Sequence, residues 1–453
     1  MATYSECESW NPAEMKEHQL KGLQNTVERA FQNVPFYRDA LMKAHITPKD
    51  IQTLDDLRRL PFTQKHHLRE NYPFNLLASP MEDIVRIHAS SGTSGKPTVV
   101  AYTKNDLANW GEIVARAISL AGGRKGDILH NAYGYGLFTG GLGLHVGSEQ
   151  LGCATVPVSG GNTVKQISLI QDFKPRIICC TPSYLLSIGE AMMQQGIDPA
   201  STSLEIAILG AEPWSEGMRE QIESMFELKA TDIYGLSEVI GPGVAQECVD
   251  CQDGLHIADD HFFVEAIDPN TLEPVEDGED GELVFTSLTK EALPTIRYRT
   301  GDIASITREP CECGRTTTRM SRVKGRIDDM LIIRGVNVFP SEIERFICSL
   351  DELAPHYQIH LHKKGPMDHV ELHVEVSQEF FTSLKDQTFS HPAAQELTSR
   401  IALMVKTEAL VSMEVFLKEP SSLPRSEGKA KRVFDHRTVT GTTRISSNAV
   451  EQK

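Results

Sequence analysis

The stretch HASSGTSGKPTVV, residues 88–100, sets Gly92 and Gly95 among four hydroxyls, Ser90, Ser91, Thr93 and Ser94, and follows them with Lys96. Such a loop can turn backbone N–H groups toward a phosphate, add hydroxyl donors and supply one positive charge. It is not a Walker loop. That pattern wants a glycine where this chain has Ser90 and a hydroxyl residue where it has Pro97. The flanking runs DIVRIHAS and PTVVAYT read as strands, and Pro97, lacking an N–H, discourages a helix, so the loop is expected to join two strands.

A second set of reactive side chains lies further along. ECVDCQDGLH holds Cys248, Cys251 and His256, and PCECGR holds Cys311 and Cys313. Thiolates and imidazole in these numbers predict a tetrahedral zinc centre, for which four ligands are needed and five are offered. The start, MATYSECESW, has neither a basic run nor an apolar one, which points away from export and toward the cytoplasm. Nine cysteines in such a chain are not expected to form a disulfide framework. Cys7, Cys153, Cys179, Cys180 and Cys348 read as small core residues.

A formal charge of −17 disfavours nucleic acid or an anionic membrane as partner, because a phosphate surface would be repelled. Nor does any stretch approach the roughly 18 apolar residues of a membrane span. At 453 residues the chain is expected to form two or three domains.

The elements that must carry this chemistry follow from periodicity. Asn11 and Pro12 open an N-terminal helix. From about 125 to 240 short apolar runs (RIICC, EIAILG, ATDIYGL) alternate with amphipathic segments (SYLLSIGEAMMQQG, SEGMREQIESMF). This predicts parallel strands with crossover helices, whose ligands sit at the carboxyl ends of the strands. After residue 260, HFFVEAID, GELVFTSL and GDIASIT predict a β-rich subdomain, and the segment from Asp328 a small α+β module. The expected fold is α/β. Residues 1–327 would form a large domain with its β-rich, zinc-bearing region at 245–325, residues 328–435 a mobile C-terminal domain, and 436–453 a polar tail.

SSGTSGKPTVV, YGLSE, YRTGD, GRIDDMLIIRGVNVFP and GKAKR stand in the order found in acyl-adenylate-forming enzymes. Together with TGGLGLHVGSEQLG and PVSGGNT, the wording resembles the phenylacetate–coenzyme A ligase family over roughly residues 10–435. The resemblance implies that a carboxylate attacks the α-phosphate of ATP, giving acyl-AMP and pyrophosphate, and that the acyl group then passes to coenzyme A. In-line phosphoryl transfer of this kind asks for positioning and charge neutralisation more than for a protein nucleophile.

By that resemblance the loop from Ser90 to Lys96 holds the β and γ phosphates, and Glu238 coordinates Mg²⁺. Asp302 binds the ribose hydroxyls and Arg326 contacts ribose or phosphate. Gly210, Ala211, Glu212, Asp232, Ile233, Tyr234 and Gly235 border the adenine. Asp328 matches the hinge between the domains. Lys429 matches the lysine that contacts the carboxylate and α-phosphate, with Lys431 its rival, while the strand ending at Gly335 approaches the pantetheine arm of coenzyme A in the second pose. Tyr133, Tyr135, Phe138 and Gly141, with residues 239–243, are expected to bound a flat slot for an aromatic ring. Metal-bearing relatives imply Cys248, His256, Cys311 and Cys313 as the zinc ligands, leaving out Cys251.

The expected activity is an ATP-dependent, AMP-forming ligase that joins an aryl carboxylate to coenzyme A, in a cytoplasmic homodimer. Three other readings are an adenylyltransferase stopping at a nucleotide-linked product, a carrier-protein-loading enzyme, and a silent AMP-binding or zinc-stabilised protein.

Overall fold

The computed structural model describes residues 3–89, 97–327, 331–334, 336–364, 367–384, 388–425 and 430–437. Two compact units divide the chain. The larger is Met1–Asp329 with Arg425–Ala430, and the smaller is Met330–Pro424 with Lys431–Lys453. No helix among the described residues is long and apolar enough to cross a membrane.

In the large unit Asn11 caps α1 (Pro12–Asn33) by accepting from the N–H groups of Ala13 and Glu14, and Pro12 occupies the first turn. Helices α2 (Pro35–Lys43) and α3 (Lys65–Glu70) follow. The antiparallel pair β1 (Ile84–Ala89) and β2 (Val99–Thr103) brackets the Ser/Gly loop, as the sequence predicts. Ser90, Ser91, Gly92, Thr93, Ser94, Gly95 and Lys96 themselves lie outside the described residues. Thr103 then caps α4 (Lys104–Leu120), whose Trp110 stacks on Tyr102 at 5.0 Å.

The alternating segment gives β3 (Ile128–Asn131), α5 (Thr139–Leu151), β4 (Ala154–Val156), α6 (Thr163–Phe173), β5 (Ile177–Cys180), α7 (Pro182–Gln194), β6 (Ile206–Gly210), α8 (Glu216–Phe226) and β7 (Lys229–Leu236). β4, β3, β5, β6 and β7 are neighbours in that order and all parallel. The IICC and IAILG strands are buried along their whole length, as strands covered on both faces must be.

The β-rich region does not form a sheet of its own. β8 (Gly241–Glu247) pairs antiparallel with β7. Through β9 (Leu255–Ile257) and β13 (Arg319–Met320) the same hydrogen-bonded path then reaches β12 (Tyr298–Thr307), β11 (Asp280–Ser287) and β10 (Phe262–Ile267), while β14 (Gly325–Arg326) pairs with β12. Local periodicity marks each strand, but the two-residue β13 that bridges the halves is too short to leave a pattern. Cys7, Cys153, Cys179 and Cys180 are buried as expected; Cys348 is only partly so, at the end of a helix on the smaller unit.

The smaller unit begins with the antiparallel pair β15 (Leu331–Ile333) and β16 (Val336–Val338). It continues through α9 (Pro340–Cys348), β17 (Leu353–Lys364), β18 (Met367–Val376), α10 (Gln378–Ser383), α11 (Pro392–Glu408), β19 (Glu414–Lys418) and β20 (Val433–Asp435). Its four-stranded sheet runs β19-β18-β17-β20. One face, with Ile359, Leu361, Leu372 and Val374, packs into a core with Ile343, Ile347, Leu397 and Ile401 of α9 and α11.

Candidate active site

The carboxyl ends of β5, β6 and β7 open into a cleft of about 1330 Å³ within the large unit. In one corner Tyr234 of β7 donates its phenolic O–H to Asp302 Oδ2 at 2.7 Å, and the Arg326 guanidinium meets Asp302 Oδ1 at 2.8 Å. Register brings these groups together: Asp302 of β12 is directly opposite Arg326 of β14. Burial, and then the Asp302 charge, keep the Tyr234 phenol protonated well above its ordinary range, so it stays a donor. A carboxylate fixed by one cation and one phenol can still accept from two neighbouring hydroxyls. Gly301 N–H donates to Glu282, which also pairs with Arg299, so the stretch of β12 holding Asp302 is anchored from behind.

On the adjoining wall Ala211, at φ +68°, and Glu212 follow β6. Glu212 accepts from Ser183 N–H at the start of α7 (2.9 Å) and from Ala430 N–H (3.0 Å). Asp232, Ile233, Tyr234 and Gly235 also face the cleft, whereas Gly210, the β6 partner of Ile233, does not line it. A Cβ on Gly235 would stand 2.0 Å from the Gly241 carbonyl, so β7 and β8 can approach this closely only with glycine there. Trp214 lines the same wall with Arg322 over its ring at 4.5 Å and Arg219 at 5.4 Å.

Desolvation, and next the neighbouring Glu247, push the Asp232 carboxyl up to about 7, although its side chain keeps 13% exposure toward the cleft. An unfolded aspartate titrates near ~3.9. Between those values the folded chain holds a proton that the unfolded chain releases, so this group makes stability fall as pH rises through the window. Asp232→Asn is therefore expected to stabilise the protein by about 2 to 3 kcal/mol more at pH 8 than at pH 5. Denaturant melts at the two pH values check this, and an unchanged pH dependence would move the burden to Glu247.

Glu238, just beyond β7, is buried at the cleft wall, and its carbonyl accepts from Lys290 Nζ (3.3 Å) and Thr295 Oγ1 (3.2 Å). Burial pushes the Lys290 ammonium down to about 8. Lys290, Trp214, Arg322 and Glu282 were not singled out from sequence. A lone lysine in TSLTKEALP carries no local mark of burial, and only the aromatic residue just after GAEP offered a signal for Trp214.

The aromatic stretch divides. Tyr133 and Phe138 line the cleft, Phe138 with 43% exposure. Tyr135 does not; its hydroxyl accepts from Asn131 Nδ2 (2.8 Å) and lies 3.1 Å from His145 Nδ1. Gly141 sits under the loop, where a Cβ would meet the Gly134 carbonyl at 2.4 Å. Of residues 239–243, Pro242 reaches the cleft, while Val239 and Ile240 are core.

The structure brings the four chosen metal-ligand candidates together: one ligand atom each of Cys248, His256, Cys311 and Cys313 lies within 4.8 Å of the others. Cys248 Sγ and Cys311 Sγ are 3.9 Å apart, and Cys313 Sγ is 3.6 Å from His256 Nε2. The edges of a zinc tetrahedron, from bonds of ~2.3 Å to sulfur and ~2.0 Å to nitrogen, are about 3.8 and 3.5 Å, so the donor set fits that ion. His256 Nδ1 faces Thr317 Oγ1 at 3.0 Å, which leaves Nε2 as the ligating atom. Cys251 packs beside the group.

Residues 28–289 match the family model of AMP-binding enzymes, and residues 335–437 that of the AMP-binding enzyme C-terminal domain. Over 93% of its length the chain is 51% identical to the phenylacetate–coenzyme A ligase of Thermus thermophilus, 96% of which is covered. This chain belongs to the phenylacetate–coenzyme A ligase family. Another member, from Escherichia coli, is 50% identical over 94% of this chain and 96% of its own. A solved 2-hydroxyisobutyryl-CoA ligase, in the postadenylation state with 2-HIB-AMP, superposes with a TM-score of 0.88 at 28% identity, covering 94% of this chain and 91% of that one. As a member of the phenylacetate–coenzyme A ligase family, the protein is an AMP-forming acid–coenzyme A ligase with the α/β fold and smaller α+β unit of such enzymes. Three of the family's expected positions in this chain, Asp328, Gly335 and Lys429, lie outside the described residues.

Proposed function

We propose that the acid is an aryl carboxylate of the phenylacetate type, taken in beside Tyr133 and Phe138 and adenylated in the cleft. The observation that carries this reading is the cleft itself: a ribose corner at Asp302, Tyr234 and Arg326 shares one cavity with an aromatic wall, at 51% identity to a phenylacetate–coenzyme A ligase. Asp302 would accept from the ribose hydroxyls, Ala211 to Gly235 would border the base, and Lys96 with its neighbouring hydroxyls would hold the outgoing phosphates. Glu238 would hold Mg²⁺, which when bound neutralises phosphate charge. Lys429 would meet the reacting carboxylate and α-phosphate.

A boundary and hinge near Asp328 are supported by the division of the chain into Met1–Asp329 and Met330–Pro424. Zinc at Cys248, His256, Cys311 and Cys313 is supported by their spacing; the role is structural, since four protein ligands close the coordination shell. The homodimer rests on the family resemblance.

A pyrophosphate-release screen over aryl and aliphatic acids, with and without coenzyme A, tests the reading. Phenylacetate-like acids are expected to exceed acetate in kcat/KM by about a hundredfold, the ~2.7 kcal/mol of burying one ring. Thioester is expected only with coenzyme A present. Equal turnover of acetate would remove the aryl assignment and leave the ligase standing.

A further inference from the structure

The smaller unit carries a side-chain cluster that ligation does not use. Strand alternation sends Ile359, Leu361, Val370, Leu372 and Val374 into the core, and so turns His360, His362, His369, Glu371 and His373 to the opposite face of the sheet. β20 runs parallel to β17 with Phe434 opposite His360, and His436 N–H donates to the Leu361 carbonyl at 2.8 Å. This pairing delivers His436 to the two β17 histidines. One ring nitrogen each of His360, His362 and His436 lies within 4.8 Å of the others.

The spacing and the protons both suit metal ligation. His360 Nδ1 and His436 Nε2 are 3.3 Å apart, about the nitrogen–nitrogen edge of a tetrahedral ion with bonds of ~2.0 Å. The two rings are near-parallel, their planes differing by 8°, so a rotation about the soft χ2 of one ring is needed to aim both lone pairs at one ion. His360 Nε2 is 3.2 Å from Gln358 Oε1. That amide oxygen can only accept, so it fixes the proton on Nε2 and frees Nδ1 as a ligand. His362 stacks on His436 at 4.7 Å and turns into the set by rotation about its soft χ2.

We propose that His360, His362 and His436 bind one divalent transition-metal ion of the zinc, nickel and cobalt class, with water completing its coordination. The ion would clamp β20, held to β17 over three register positions, onto the edge of the sheet. All-nitrogen ligation separates this site from the cysteine centre of the large unit.

The experiment is calorimetric titration with CoCl₂ of the full-length protein, dialysed against metal-free buffer so that weakly held ions leave and the cysteine centre keeps its zinc, followed in parallel by absorption. One cobalt per chain is expected at a Kd of about 10 μM, with visible bands and no new thiolate-to-cobalt absorption in the near ultraviolet. His436→Ala, at an exposed position, is expected to weaken binding at least ~10-fold while the far-ultraviolet circular dichroism is unchanged, and Gln358→Ala by ~10- to 100-fold. Bound metal should also slow amide exchange in residues 433–436. Binding that survives both His436→Ala and His360→Ala, the appearance of thiolate absorption, or no binding up to about 1 mM would overturn the site.

Discussion

Cys311→Ser is expected to abolish zinc binding at the proposed cysteine–histidine centre and lower the melting temperature by about 5 °C. The four candidate ligand positions tie together the segment after β8, strand β9 and the loop between β12 and β13, and Cys248 and Cys311 are 63 residues apart in sequence. Metal that binds such a set only when folded adds its binding free energy to folding. In small zinc modules this amounts to roughly 10–16 kcal/mol. Here the same strands also have a hydrophobic core, so about 3 to 5 kcal/mol is expected; for a unit of more than 300 residues, each kcal/mol moves the transition by ~1–2 °C. Serine is close in size to cysteine, so packing changes little. Chelator-treated wild-type protein serves as the second arm. Metal analysis should give one zinc per chain in the wild type and less in the variant. If the chelated, metal-free wild type melts with the zinc-loaded form, zinc has no structural role here.

Asp302→Ala is expected to cut kcat/KM for ATP by about a hundred- to a thousandfold, mostly through KM. The carboxylate is positioned by Tyr234 and Arg326 and would accept from two ribose hydroxyls. Hydrogen bonds to a charged group contribute about 1.5–3 kcal/mol each, and every ~1.4 kcal/mol is a factor of ten. The remaining Arg326 keeps a bond to the Thr300 carbonyl and partial exposure, so the fold should tolerate the change. AMP should no longer raise the melting temperature of the variant. An ATP KM within twofold of wild type, in a variant that melts normally, would refute the ribose assignment.

Much of this protein can be read along the chain, because a strand covered on both faces, an amphipathic helix and a capped first turn each leave their mark within a window of a few residues. RIICC, EIAILG and ATDIYGL become three adjacent parallel strands, Asn11 and Pro12 open α1, and the Ser/Gly loop joins two strands. Residue type points to chemistry in the same way, thiolates and imidazole to a zinc centre, whereas the ribose roles of Asp302 and Arg326 come from the family resemblance. Distance is another matter. That Cys248 reaches Cys311 at 3.9 Å depends on a sheet path through a two-residue strand, and a segment of that length carries no periodicity. Lys290 is an ordinary polar residue in sequence. Only the packing of its segment against α4 and the end of β7 buries it beside Glu238. Tyr135 and Tyr133 are equivalent in an alternating Gly/aromatic run, yet one turns to Asn131 and His145 while the other lines the cleft. The histidines of β17 and β18 alternate with core residues and so were bound to share a face, but the pairing of β20 was needed to bring His436 among them. Local sequence sets backbone conformation and which side faces inward; which distant group stands opposite is decided by the packing of elements that no short window contains.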